Sequence, residues 1–247
     1  MKRRLISMLD LQVVVLMGGP GTRLRASTVG PKAMVDVHGK PFFLYQFDRL
    51  KHLGIQEFIF CIGYAGQTVR NYFGDGSAFS TSIRYSEDEP SLLGTGGALR
   101  KALPLLREFF MVLYGDSYSC VDYSELLRTY LKQRSEGSGA QGLMTLFKNQ
   151  NRWDSSNAVF KEGRLLKYDK KNKTPDMEYI DHGAIFLERS ALDRQPKGAW
   201  DLGDWCHQMV EEGTLAGFEV HERFYEVGTP ESLEEFRKFV AKRQISA

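Results

Sequence analysis

Cysteine is scarce in this chain, and so is any imbalance of charge. Its 247 residues carry three cysteines, Cys61, Cys120 and Cys206. They are far apart and odd in number, which excludes a disulfide framework and the close spacing of a zinc site. Two lie in or beside apolar runs, where a free thiol behaves as a small hydrophobe. Lysine and arginine total 33 against 31 aspartates and glutamates. So even a balance supplies no attraction to nucleic acid or to a membrane surface, and neither partner is expected. No apolar run approaches the ~20 residues of a membrane span. Met1-Lys2-Arg3-Arg4 is basic like the start of a secretion signal, but Asp10 interrupts the apolar stretch behind it. No small-residue cleavage site follows, and the expected location is the cytoplasm. The sequence also lacks internal repeats, low-complexity segments and long linkers, and nothing in it resembles a Ser/His/Asp or Cys/His nucleophilic set.

What the sequence does contain is enough apolar material, 42%, for one large α/β domain or two small ones. Val13–Met17 reads as a buried strand. Pro41–Leu53 has near-helical apolar spacing with Gly54 as a stop. Phe58–Ile62, Ser82–Ser86 and Phe109–Tyr114 read as strands. Gly66–Phe73, Leu99–Arg107 and Asp122–Arg134 read as helices, the last with Asp122 as N-cap. Such alternation implies a mainly parallel sheet with helices on both faces. Beyond the polar loop Ser135–Gly139 the strands come closer together: Leu143–Phe147, Asn157–Lys161, Leu165–Tyr168, Tyr179–Leu187 and Gly217–Val220. Helices there are Asp201–Gly213 and Pro230–Arg243. The expectation is a single domain over 1–247, with a nucleotide-binding half at about 11–134 and an acceptor half at about 140–247.

The first strand runs into Gly18-Gly19-Pro20-Gly21-Thr22-Arg23-Leu24-Arg25, followed by Pro31-Lys32-Ala33-Met34. Three glycines in four residues make a loop that turns sharply or approaches a ligand closely. Exposed backbone N–H groups beside Arg23 and Lys32 suit a polyphosphate; a tight β-to-α turn with ordinary surface cations is the alternative. Leu24 stands where a dinucleotide fingerprint needs its third glycine, and no P-loop pattern occurs. A second glycine-rich stretch, Glu89-Pro90-Ser91-Leu92-Leu93-Gly94-Thr95-Gly96-Gly97-Ala98-Leu99, again opens a helix. By itself it could be a mobile loop capped by Thr95. Tyr114-Gly115-Asp116 ends a strand in a carboxylate, commonly a turn residue or a cap. Because ligands in such sheets lie outside the carboxyl ends of the strands, Gly18–Arg25 and Asp116 should share one edge.

GGxGTRLR followed by PKxM, together with the LGTGGAL run, resembles the signature of the sugar-1-phosphate nucleotidyltransferases. Pro20 replaces the usual Leu, fixing one φ and removing one N–H from the loop. The resemblance implies a Rossmann-like, mainly parallel mixed sheet flanked by helices, without the C-terminal β-helix of larger members. It implies transfer of a nucleotidyl group from a nucleoside triphosphate to a sugar 1-phosphate, with Mg²⁺ as cofactor. LGTGGA is most similar to guanylyltransferases acting on mannose- or heptose-type sugar 1-phosphates. Tyr179-Ile180-Asp181-His182-Gly183 is similar to shorter uridylyltransferases.

By resemblance, Met17, Gly18, Gly19, Gly21 and Thr22 bind the nucleotide, and Gly94, Thr95 and Gly96 lie against its base. Arg23 takes the leaving pyrophosphate and Lys32 steadies the reacting phosphates. Asp116 holds the metal together with Glu226, which in Tyr225-Glu226-Val227-Gly228-Thr229-Pro230 stands where the family has Asp. Lys170 grips the sugar phosphate, and Asn157, Asp181 and Gly183 bind the sugar. His182 is expected to be structural. The alternatives left open are another nucleotide and sugar pair, a non-sugar phosphate acceptor, and a subunit that senses nucleotide or sugar phosphate without turnover. The resemblance also leaves a homodimer open.

Overall fold

The computed structural model describes residues 6–19, 21, 30–88 and 91–245, with residues 244 and 245 described by backbone alone. In chain order the strands are β1 (Gln12–Met17), β2 (Asp36–Val37), β3 (Lys40–Pro41), β4 (Glu57–Ile62), β5 (Ser82–Glu87), β6 (Phe109–Tyr114), β7 (Ser117–Tyr118), β8 (Gly142–Lys148), β9 (Ala158–Lys161), β10 (Arg164–Tyr168), β11 (Tyr179–Glu188), β12 (Leu215–Val220) and β13 (Tyr225–Glu226). The helices are α1 (Phe42–His52), α2 (Gly66–Phe73), α3 (Gly94–Lys101), α4 (Tyr123–Ser135), α5 (Arg189–Asp193), α6 (Leu202–Glu211) and α7 (Pro230–Ile245).

One nine-stranded sheet joins both halves, in the order β10-β9-β11-β6-β1-β4-β5, with β8 paired to β11 and β12. Strands β6, β1, β4 and β5 are parallel. The long strand β11 runs antiparallel to β6 and β8. The sheet is therefore mixed, with a parallel block that carries the strand ends of the first half.

Alternation along each strand builds a core on each face. Val13, Val15 and Met17 of β1 pack with Phe58, Phe60 and Ile62 of β4 under α1, α2 and α4. Val14 and Leu16 point the other way, meeting Ile59, Cys61, Phe110 and Val112 under α3 and α6. With both faces covered, β1 is apolar almost throughout. A smaller cluster seats α7, through Leu233, Phe236 and Val240, on Val37, Phe42 and Tyr118.

Asp122 caps α4 as expected, its carboxylate accepting from Ser124 and Glu125 N–H. The helix expected at Leu99–Arg107 instead starts at Gly94 and ends at Lys101, followed by a short 3₁₀ turn over Leu103–Leu105. Its glycine-rich first turn is held by tertiary contacts that local propensity does not report.

Candidate active site

Four parallel strands end on the same edge, and each releases a residue of one cleft of about 340 Å³. After β1 come Gly18, Gly19 and Gly21; after β6, Gly115 and Asp116; after β5, Asp88; and Cys61 lines the cleft from β4. Lys32, Gly94, Thr95 and Leu92 complete the lining used below. Close backbone approach shapes this edge. Gly115 donates to the Leu16 carbonyl at 2.9 Å, and a Cβ there would stand 2.6 Å from Met17 Cγ. Gly21 adopts φ +59° with the stem of Lys32 beside it, so a larger residue there would be strained and would have to displace that stem.

At one end of the cleft the Lys32 ammonium lies 2.8 Å from Asp116 Oδ2 and 3.8 Å from Glu226 Oε1. These carboxylates are far apart in sequence. They meet because β7 and β13 form a two-residue antiparallel ladder in which Glu226 faces Ser117. Val227 N–H also donates to the Asp116 carbonyl at 2.9 Å. Two hard carboxylates converging on one cation are a donor set that suits Mg²⁺. No group of three or more potential ligands occurs among the described residues, so the rest of a Mg²⁺ shell would come from water and substrate phosphates. Thr229 then opens α7, its hydroxyl accepting from Ser232 N–H at 3.3 Å.

Asp181 organises the acceptor side. Its Oδ2 lies 2.7 Å from Lys170 Nζ and accepts from the Tyr168 hydroxyl at 2.8 Å. Asn157 Nδ2 donates to its other oxygen at 3.4 Å, and Asp181 N–H donates back to Asn157 Oδ1 at 3.0 Å. Burial opposes the Asp181 charge, yet Lys170 and these donors hold its carboxyl below the usual range. Gly183 sits with φ +87° where the β11–β8 register shifts. Tyr114 joins the two groups: it lines the cleft, and the Lys170 ammonium lies 5.7 Å from its ring centre. Trp153 lies outside this cluster, stacked under the Arg223 guanidinium at 3.6 Å.

The glycines of the LGTGGA run, expected to lie against the base, pack on the segment around Trp200. Gly96 does not line the cleft. A Cβ on it would come within 1.9 Å of the Trp200 ring, and one on Gly97 within 2.2 Å of the Gly198 carbonyl. Gly96 and Gly97 N–H both donate to the Trp200 carbonyl, at 3.0 and 3.2 Å. Thr95 is likewise engaged elsewhere. Its hydroxyl donates to Asp201 Oδ2 at 3.0 Å and accepts from Leu202 N–H at 2.8 Å, so it caps α6 rather than its own helix. Gly94 and Thr95 still line the cleft beside Ala98.

Thr22 and Arg23, with Pro20, lie outside the described residues. The remaining expected nucleotide contacts, Met17, Gly18, Gly19 and Gly21, share the cleft with Lys32 and Asp116. The sequence reading missed Asp88, Tyr168 and the Trp200–Asp201 segment. Asp88 had a legible signal, a carboxylate just past a strand like Asp116, hidden by its acidic neighbours Glu87 and Glu89. His182 is buried as expected. It lies 3.0 Å from Ser119 Oγ and 2.9 Å from the Glu222 carbonyl, and burial pushes its pKa down to about 4.

A family model described as nucleotidyl transferase matches residues 12–243. The chain belongs to the nucleotidyl transferase family. It is 32% identical over 192 residues to a mannose-1-phosphate guanylyltransferase of Mycobacterium tuberculosis, covering 76% of this chain and 52% of that protein. It is 29% identical over 235 residues to a D-glycero-alpha-D-manno-heptose 1-phosphate guanylyltransferase of Aneurinibacillus thermoaerophilus, covering 92% and 97%. The chain thus spans about half the length of several curated relatives it matches and nearly all of the heptose relative. HddC of Yersinia pseudotuberculosis, solved with GMP-PN, shares the fold at a TM-score of 0.75 and 22% identity, covering 93% and 99%. No described helix is long and apolar enough to cross a membrane.

Proposed function

We propose that this nucleotidyl transferase moves a nucleotidyl group from a nucleoside triphosphate to a sugar 1-phosphate, with GTP and a mannose- or heptose-type sugar 1-phosphate as the pair. One observation carries the reading: Lys32, Asp116 and Glu226 converge at the end of the strand-edge cleft, across Tyr114 from the Lys170–Asp181 pair. The guanylyltransferase relatives favour GTP and those sugars.

In this reading an oxygen of the sugar phosphate forms a bond to the α-phosphorus, and the bond from that phosphorus to the β-phosphate oxygen breaks. The electron pair leaves with pyrophosphate. The attacking phosphate is already ionised at neutral pH, so the protein needs no general base and acts by positioning and charge. Lys170 holds the acceptor phosphate, with Asp181 and Asn157 orienting the lysine and the sugar hydroxyls. Lys32 meets the reacting phosphates once they enter, and Arg23 takes the departing pyrophosphate. Asp116 and Glu226 are the residues that would hold Mg²⁺, which when bound neutralises phosphate charge. These residues all come from one chain, so the chemistry requires no second copy. We read the chain as one domain whose two halves meet at this cleft. We place the reaction in the cytoplasm, where nucleoside triphosphates are held.

The test is pyrophosphate release with Mg²⁺ across four nucleoside triphosphates and a panel of sugar 1-phosphates. Release with GTP and a mannose- or heptose-type phosphate is expected. Release with no pair would contradict the proposal and favour a sensing subunit.

A further inference from the structure

His182 is fully buried, and its two ring nitrogens reach the two chain segments that carry Asp116 and Glu226. Nε2 lies 2.9 Å from the Glu222 carbonyl, a few residues before Glu226. Nδ1 lies 3.0 Å from Ser119 Oγ, a few residues after Asp116. A carbonyl only accepts, so Nε2 carries the ring hydrogen and Nδ1 accepts from the serine hydroxyl. Burial keeps the ring neutral, which this division of roles requires.

The strand fixes where the ring points. Alternation along β11 sends Asp181 to one face, against Tyr168 and Lys170, and His182 to the other. There its ring meets Phe147 and Phe224, with centres 6.4 and 5.4 Å away. Ser119 is itself anchored. Its N–H donates to Gln46 Oε1 at 2.8 Å, and Gln46 Nε2 donates to the Tyr123 hydroxyl at 2.9 Å. Gln46, Ser119, Tyr123 and His182 are all buried, and a buried polar network with its bonds made holds one geometry.

Asp116 and Glu226 meet through a ladder of only two residue pairs, Tyr225 with Tyr118 and Glu226 with Ser117. Such a ladder is too short to hold its register alone. At one end Val227 N–H closes it on the Asp116 carbonyl. Continued the other way, its antiparallel register sets Phe224 opposite Ser119, and at that end His182 ties both segments together. In the proposed reaction the phosphates compete for Lys32, and the two carboxylates it screens then repel each other. The ladder has to resist that repulsion.

We infer that His182 is a positioning residue for the metal carboxylates. It holds the segment after Asp116 and the segment before Glu226 at a fixed spacing, on the strand that carries Asp181. The inference rests on the proposed reading that Asp116 and Glu226 hold Mg²⁺.

Binding of Mn²⁺ alone to the intact chain tests it without turnover, since Mn²⁺ shares the preference of Mg²⁺ for oxygen ligands. Bound metal is counted from the loss of the free-ion EPR signal. The part that disappears in Asp116→Asn belongs to this site, and thermal melts accompany every variant. His182→Phe keeps a ring and loses both hydrogen bonds. It should weaken Mn²⁺ binding about tenfold, the scale for removing a group that orients metal ligands. His182→Gln, whose amide can donate to the Glu222 carbonyl, should recover part of that affinity. Ser119→Ala cuts only the link to β7 and should weaken binding in the same direction, which keeps the test open if His182→Phe does not fold. Wild-type affinity in a folded His182→Phe or in Ser119→Ala overturns the inference, whatever the melting temperatures do, and leaves His182 a core residue only. No recovery in a folded His182→Gln overturns it too. A wild type without Asp116-dependent Mn²⁺ binding overturns it together with the metal site. Pyrophosphate release by the wild type decides the proposed reaction separately.

Discussion

Lys32 sits between Asp116 and Glu226 as the counter-charge of both, and in the proposed reaction the phosphates compete with them for its ammonium. In that proposed reaction such a site acts by holding fixed charges in place before the transition state forms. Arg23, proposed for the pyrophosphate end, should follow the same scale. Arg23→Ala is expected to lower turnover by about two orders of magnitude or more, the cost of losing one transition-state contact. A near-wild-type rate would remove that assignment. His182 makes a prediction about stability instead. Its Nε2 must donate to the Glu222 carbonyl, so Nδ1 accepts from the Ser119 hydroxyl, and the neutral ring is satisfied on both sides. With a folded pKa of about 4 against 6.5 unfolded, the unfolded chain binds more protons between those values. Stability is therefore complete above about pH 6.5 and falls as pH drops towards 4, by about 3 kcal/mol in all. Denaturant unfolding at a series of pH values reads this directly. His182→Asn should lose that part of the acid slope; an unchanged slope would place the titration elsewhere.

At the scale of elements, α3 and the segment before α6 depend on each other. The Trp200 carbonyl takes the first N–H groups of α3, and Thr95 of α3 caps α6. This exchange explains why Gly94, Gly96 and Gly97 must be small. Gly96→Ala would drive a methyl into the Trp200 ring and should destabilise the fold by about 1–3 kcal/mol, the scale of overpacking. The double variant with Trp200→Leu should recover part of that loss in a thermal melt. No recovery would mean that the glycine serves some other contact. The same pairing shows where sequence reasoning stops. The buried strands were legible because β1, β4 and β6 carry continuous apolar runs, and Asp122 announced α4. The start of α3 was not, because its glycines oppose a helix locally and the Trp200 segment, a hundred positions away, supports one. The β7–β13 ladder was equally hidden. Two residues carry no periodicity, yet they bring Asp116 to Glu226.

The whole molecule is a mixed sheet whose parallel strand ends hold one group of charges while the antiparallel half supplies another. Asp116, Lys32 and the glycine loop were readable as motifs. Lys170 and Asp181 were readable only through resemblance, since an isolated lysine and an acidic strand residue carry no signal of their own. Their pairing depends on β10 and β11 both flanking β9. Asp88 escaped because its place just past a strand is shared with acidic neighbours in sequence; its burial in the folded chain sets it apart. In the proposed reaction the triphosphate lies along the edge of the parallel strands with the acceptor phosphate beyond Tyr114, and the bond broken is the one from the α-phosphorus to the bridging oxygen of the β-phosphate.

The most direct test follows the label of GTP with mannose 1-phosphate and with a manno-heptose 1-phosphate. Label on the α-phosphorus should appear in the GDP-sugar, and label on the β- or γ-phosphorus should appear only in pyrophosphate. Label from the γ-phosphorus in the sugar product, or hydrolysis of GTP without transfer, would contradict nucleotidyl transfer as the activity of this cleft.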